Sequence, residues 1–101
     1  MSARYVLTTP ARNDIRDIVF EVDDRFGRAI ALRVYESIYQ TLGQLAEHPE
    51  MGRTRPDRWP ERYRFFPHGP SLIAYRVDVR PIRIIRIARA SRDWSRIEPP
   101  E

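Results

Sequence analysis

Residues 62–94 decide the fold: RYRFFP (62–67), SLIAYRV (71–77) and IRIIRIARASRDW (82–94). These are three β-branched and aromatic runs parted by Pro-bearing breaks, which is how strands and turns read. Arginine recurs at nearly every second or third position. A meander of this kind needs a layer over one face. Strand alternation groups Tyr63, Phe65, Ile73, Tyr75, Val77, Ile85 and Ile87 as the face that packs on that layer. Arg62, Arg64, Leu72, Ala74, Arg76, Ile84 and Arg86 then form an arginine-studded outer face. A solvated outer face is the default for an antiparallel sheet, but arginines interleaved with apolar groups invite a partner to cover them.

The covering layer lies upstream. RYVLT (4–8) reads as a short strand, and Thr9-Pro10 reads as a helix start with Thr9 as N-cap and Pro10 at the first helical position. Ala11, Ile15, Ile18, Val19, Val22 and Phe26 then recur at helical spacing, up to Gly27, a natural stop. Ile30, Val34, Ile38, Leu42 and Leu45 form a second stripe, with Tyr35 and Tyr39 beside it. This helix is expected to end near Glu47-His48, because Pro49 disfavours helical geometry before it. The segment 51–60 is an irregular connector in which Trp59 plugs a core. Residues 92–97 are expected to close the fold with a turn or short helix, and 97–101 form a frayed tail. The order β-α-α-β-β-β defines an α+β domain spanning residues 1–101, with a small, mostly antiparallel sheet packed on a two-helix hairpin.

At 101 residues and 42% hydrophobic content the chain suffices for one core. No apolar run approaches the roughly 20 residues of a membrane span, and the absence of cysteine suits the cytoplasm. The net charge is +4, which points toward an acidic partner or a nucleic acid. All 18 basic residues are arginine; codon usage accounts for this more simply than guanidinium chemistry does, so the signal is discounted. His48 and His68 stand far apart without ligand-spaced partners, so no metal or other cofactor is expected. Phosphate loops are absent, and Ser71, Ser91 and Ser95 lack a nucleophile-elbow context. Metal-free RNA cleavage needs a base, an acid and cations. Arginines abound for the third role, but His68, Glu47, Glu50 or a tyrosine make no recognisable acid–base pair, and no catalytic residue is assigned.

Four phrases taken together carry a resemblance: YVLT (5–8), LAEHPEMGRTRPD (45–57), RFFPHGPSLIAYRV (64–77) and IIRIARASRDW (84–94). In this order and spacing the chain resembles the ParE branch of the ParE/RelE toxin superfamily over nearly its whole length. The resemblance implies the same β-α-α-β-β-β fold. It also implies a bacterial toxin neutralised by a cognate antitoxin with a DNA-binding N-terminal half and an acidic C-terminal segment that folds on the toxin. ParE-like toxins act on DNA gyrase by protein contact, whereas RelE-like relatives are ribosome-dependent mRNA endonucleases. Leu72 stands where nucleases of the superfamily often carry an arginine, and Arg89 where many members carry a histidine, which favours gyrase inhibition. The endonuclease, or a non-toxic interaction domain of the same fold, is the alternative. On this reading the antitoxin covers the helical hairpin and part of the sheet, its acidic groups meeting Arg53, Arg55, Arg76 and Arg86. Arg89, Arg92 and Trp94 meet the target, and no sequence-specific nucleic-acid binding is expected.

Overall fold

The chain runs β1 (Tyr5–Leu7), α1 (Thr9–Phe26), α2 (Arg28–Glu47), β2 (Tyr63–His68), β3 (Ser71–Arg76) and β4 (Ile82–Arg89), with 3₁₀ turns at Pro49–Met51 and Trp94–Arg96. The computed structural model describes residues 4–97. The sheet order is β1-β4-β3-β2. β1 lies parallel to β4, while β4, β3 and β2 form an antiparallel meander. This is the expected α+β order.

The helix start falls one residue earlier than expected. Thr8, not Thr9, is the N-cap: its hydroxyl accepts from the Ala11 N–H at 3.2 Å and donates to the Ile85 carbonyl at 2.8 Å. The Thr8 N–H also bonds the Ile84 carbonyl, so the β1–β4 ladder holds the chain extended through this residue and releases it into α1. Gly27 ends α1 and opens α2 within one residue. Its N–H donates to the Asp23 carbonyl at 2.9 Å, and its carbonyl accepts from the Ala31 N–H at 3.1 Å. The φ of 91° that this needs is one side chains resist. Pro49 closes α2 as the sequence predicts, with His48 as its C-cap.

The core between helices and sheet gathers Ala11, Ile15, Ile38, Leu42 and Leu45 from the helices and Ile73, Tyr75, Ile82, Ile84 and Ile87 from the sheet. The opposite face is not the open arginine surface that alternation predicts. It carries a second core of Trp59, Tyr63, Phe65, Ala74, Ile85, Ala88, Trp94 and Ile97, covered by the connector and the C-terminal segment. The expected face groups are therefore corrected. Tyr63, Phe65 and Ile85 belong to the face away from the helices, and Ile84 belongs to the face beneath them. Two geometric causes account for the change. The tight β2–β3 turn pairs His68 with Ser71 and Phe65 with Ala74, so odd positions on one strand face even positions on the other. A register shift then pairs Ala74 with Arg86 but Tyr75 with Ile84, leaving Ile85 as an extra residue that flips the parity of β4.

Trp59 fulfils its expected core role, 3% exposed, with its indole N–H donating to the Ile97 carbonyl at 2.9 Å. Ile97, expected to begin a frayed tail, is 7% exposed and part of this core; the remainder of that expected tail, 98–101, lies outside the described residues.

The connector is fastened by the Tyr75 hydroxyl, which donates to the Pro49 carbonyl at 2.6 Å and accepts from the Gly52 N–H at 2.8 Å. Burial holds this hydroxyl above the ordinary tyrosine pKa, keeping it a donor. A Cβ on Gly52 would sit 2.4 Å from the Tyr75 oxygen. Because the Gly52 backbone is extended, at φ −76° and ψ 167°, contact and not backbone strain forbids a side chain. Gly52→Ala is expected to cost about 1–3 kcal/mol in urea denaturation. Tyr75→Phe in the same chain should recover only part of that loss, since a Cβ would still lie 2.8 and 2.9 Å from ring carbons. Full additivity of the two substitutions would refute the contact.

Candidate protein-contact surface

A groove of about 510 Å³ runs between the second half of α1 and the far end of the sheet. Its floor is apolar: Ile18, Val22 and Phe26 from α1, with Ile87 and Ala88 from β4. Asp14, Asp17 and Glu21 line the helix side, and Arg25, Arg89 and Arg92 complete the rim. The helical stripe read from sequence is only half buried. Ala11 and Ile15 enter the core, whereas Phe26 stays 66% exposed because α1 outruns the sheet.

The groove wall depends on Asp14. Its carboxylate accepts from Arg86 Nε at 2.8 Å, from Arg86 Nη2 at 3.0 Å and from the Ile87 backbone N–H at 2.9 Å. Asp14 therefore fixes α1 to β4 beside the register shift, and it holds the Arg86 pKa above its ordinary value by hydrogen bonding. Further along, Glu21 accepts from Arg89 at 3.2 Å and lies 3.6 Å from Arg25.

The residues singled out in the sequence separate into engaged and exposed groups. Arg86 is occupied by Asp14, and Arg76 by Asp78 at 2.6 and 3.0 Å. The Arg76 contact holds the Asp78 carboxyl below its ordinary pKa. Arg53 is exposed at the outer edge of β2, where its backbone exchanges both hydrogen bonds with Phe65. Arg55 is 41% exposed and stands 3.6 Å from Asp57. Arg89 and Arg92 share the groove rim and are exposed, Arg89 while also donating to Glu21 at 3.2 Å. Trp94 is not beside them on the surface. It is 2% exposed, and its indole N–H donates to the Arg89 carbonyl at 3.1 Å, so it seats the turn that carries both arginines. Sequence reasoning missed Asp14 as the clamp. Its sequence signal is a carboxylate in the second turn of a helix that must pack on an arginine-rich sheet.

For catalysis the surface offers little. Ser37 Oγ and His68 Nε2 lie 2.9 Å apart, but the pair is on the surface and neither residue lines the groove. No group of three or more His, Cys, Asp or Glu side chains able to hold a metal occurs among the described residues, and no helix among them is long and apolar enough to cross a membrane.

The molecule is thus a small α+β scaffold that carries an apolar, charge-rimmed groove with two exposed arginines at its lip. The family described as "ParE toxin of type II toxin-antitoxin system, parDE" matches residues 5–94. The chain is 34% identical over 88 residues to "Toxin ParE1" of Caulobacter vibrioides, covering 86% of this chain and 88% of that protein. It also superposes on a structure titled "Chromosomal ParDE TA system from P. aeruginosa" with a TM-score of 0.73 and 25% identity, over 84% of this chain and 92% of that one. The chain belongs to the ParE toxin family of the RelE/ParE superfamily: it is the toxin component of a type II toxin–antitoxin system. Toxins of this family act by protein–protein contact rather than by catalysis.

Proposed function

We propose that this toxin inhibits DNA gyrase in the cytoplasm through its C-terminal end, with Arg89 and Arg92 as the contacting residues and Trp94 as their anchor. The observation that carries this reading is the pair of exposed guanidiniums at the lip of an apolar groove, seated by a buried tryptophan. Arginine and aromatic anchors of this kind dominate binding energy at protein interfaces. The cognate antitoxin, with its DNA-binding N-terminal half, covers the helical hairpin and part of the sheet with its acidic C-terminal segment and reaches Arg53 and Arg55. Arg76 and Arg86, already bonded to Asp78 and Asp14, contribute only if the antitoxin displaces those carboxylates. Leu72 supports this reading over mRNA cleavage: it packs against the second core, offering a phosphate no charge.

The test is gyrase supercoiling and DNA-cleavage assays with the purified chain and its Arg89→Ala/Arg92→Ala variant. The wild type is expected to inhibit supercoiling. The variant should need about tenfold more protein for the same effect while keeping the wild-type melting temperature. Cut message in a translation-coupled assay, with gyrase unaffected, would replace this reading with the endonuclease.

A further inference from the structure

At the α1 groove a single carboxylate answers to more than one arginine. Arg25 lies on α1, Arg89 ends β4 and Arg92 stands in the turn that follows, and all three line the groove together with Phe26. Glu21 Oε1 accepts from Arg89 Nη2 at 3.2 Å and stands 3.6 Å from Arg25 Nη2. The same oxygen thus serves a cation on each side of the groove. Among the described residues Arg92 makes no ion pair. With Glu21 shared among them, the three guanidiniums keep this part of the rim cationic.

Stability gives little reason for that convergence. The side chains of Arg25, Arg89 and Glu21 are 64%, 57% and 46% exposed, and ion pairs so open contribute little to folding. A docking segment that brings its own carboxylate meets the cluster in the forked geometry guanidinium favours. Docking also excludes water, which makes that pair stronger than the one Glu21 forms in open solvent. The adjoining floor of Val22, Phe26 and Ala88 takes an apolar side chain beside the carboxylate. A nucleic-acid backbone offers charge but nothing to cover Phe26.

We propose that Arg25 joins Arg89 and Arg92 in a carboxylate-binding site for an acidic and apolar segment of the target protein, with Glu21 as a built-in competitor for that site. The proposal rests on the reading of Arg89 and Arg92 as target contacts. Docking exchanges Glu21 for the target's carboxylate. Glutamine at position 21 keeps the shape of the side chain and removes the charge. It loosens the hold on Arg89, ends the repulsion of an incoming carboxylate and leaves the three cations in greater need of an anion. All three effects favour binding.

The experiment measures gyrase inhibition, growth arrest on induced expression and antitoxin affinity for the wild type, Glu21→Gln, Arg25→Ala and the double variant. Glu21→Gln is expected to inhibit at about threefold lower concentration, the scale of one exposed ion pair. Arg25→Ala should need about fivefold more protein, in the wild-type and the Glu21→Gln background alike. Arg25 also favours the C-terminal pole of α1, a role that the melting temperature reads and potency does not. If Arg25 merely holds Glu21 in place, its replacement does nothing once position 21 is glutamine, and that result overturns the proposal. So does a Glu21→Gln chain no more potent than the wild type, or an Arg25→Ala chain whose only defect is weaker antitoxin binding. Growth arrest separates the site from the identity of the target. A wild type that arrests growth without touching gyrase overturns the gyrase reading, while the same order of potencies in growth arrest upholds the site. A wild type that does neither overturns both.

Discussion

Trp94→Ala is expected to destabilise the chain by about 3–5 kcal/mol, measured by urea denaturation. Trp94 is 2% exposed and packs edge-on against Trp59 at 5.7 Å and Phe65 at 5.5 Å. Truncation removes that aromatic packing and the indole donor to the Arg89 carbonyl and leaves a cavity that the stiff rings around it fill poorly. The chain has two tryptophans, and both sit in this second core, so intrinsic fluorescence reports its melting directly. A loss below about 1 kcal/mol would show that the cluster collapses around the gap and that its packing is not decisive.

That expectation bears on how toxicity is dissected. Truncation after Ile87 removes the arginines at the groove lip, but it also deletes Ala88, Trp94 and Ile97 from the second core. Lost growth inhibition in such a chain would follow from lost folding. Arg89 and Arg92 are exposed, so their replacement by alanine leaves that core intact and isolates the contact.

The sequence shows the helices clearly because their signals are local: apolar positions at helical spacing, Gly27 between the stripes and Pro49 after them. Strand positions are legible for the same reason. Which face each strand residue occupies is not local. It depends on the β2–β3 turn, which sets odd against even positions, and on the extra residue Ile85 in β4. Two adjacent pairs, Ile84-Ile85 and Ile87-Ala88, do carry a signal: neighbouring apolar residues on one strand require burial on both faces. With Trp59 and Trp94 each in need of a buried site, they announce the second core. Of the site, the exposed arginines are legible, whereas the engagement of Arg76 and Arg86 by Asp78 and Asp14 is set by tertiary geometry.

Asp14→Ala is expected to cost about 2–4 kcal/mol, more than Arg86→Met. The carboxylate serves three donors, two on Arg86 and the Ile87 N–H, and it is 13% exposed beside a guanidinium that is 23% exposed. Removing it strands a largely desolvated cation and an amide at the point where β4 changes register. Arg86→Met removes the cation but leaves Asp14 accepting from Ile87, and methionine keeps much of the buried stem. Combining the two substitutions should recover part of the Asp14→Ala loss, because no charge then remains unpaired. Hydrogen exchange gives the local readout. Ile87 should lose protection in Asp14→Ala while the amides of Ile73 and Tyr75 in the adjoining strand keep theirs. If Arg86→Met proves the more damaging, the clamp works through packing of the arginine stem and not through the carboxylate. The α1 groove would then owe its shape to β4 alone.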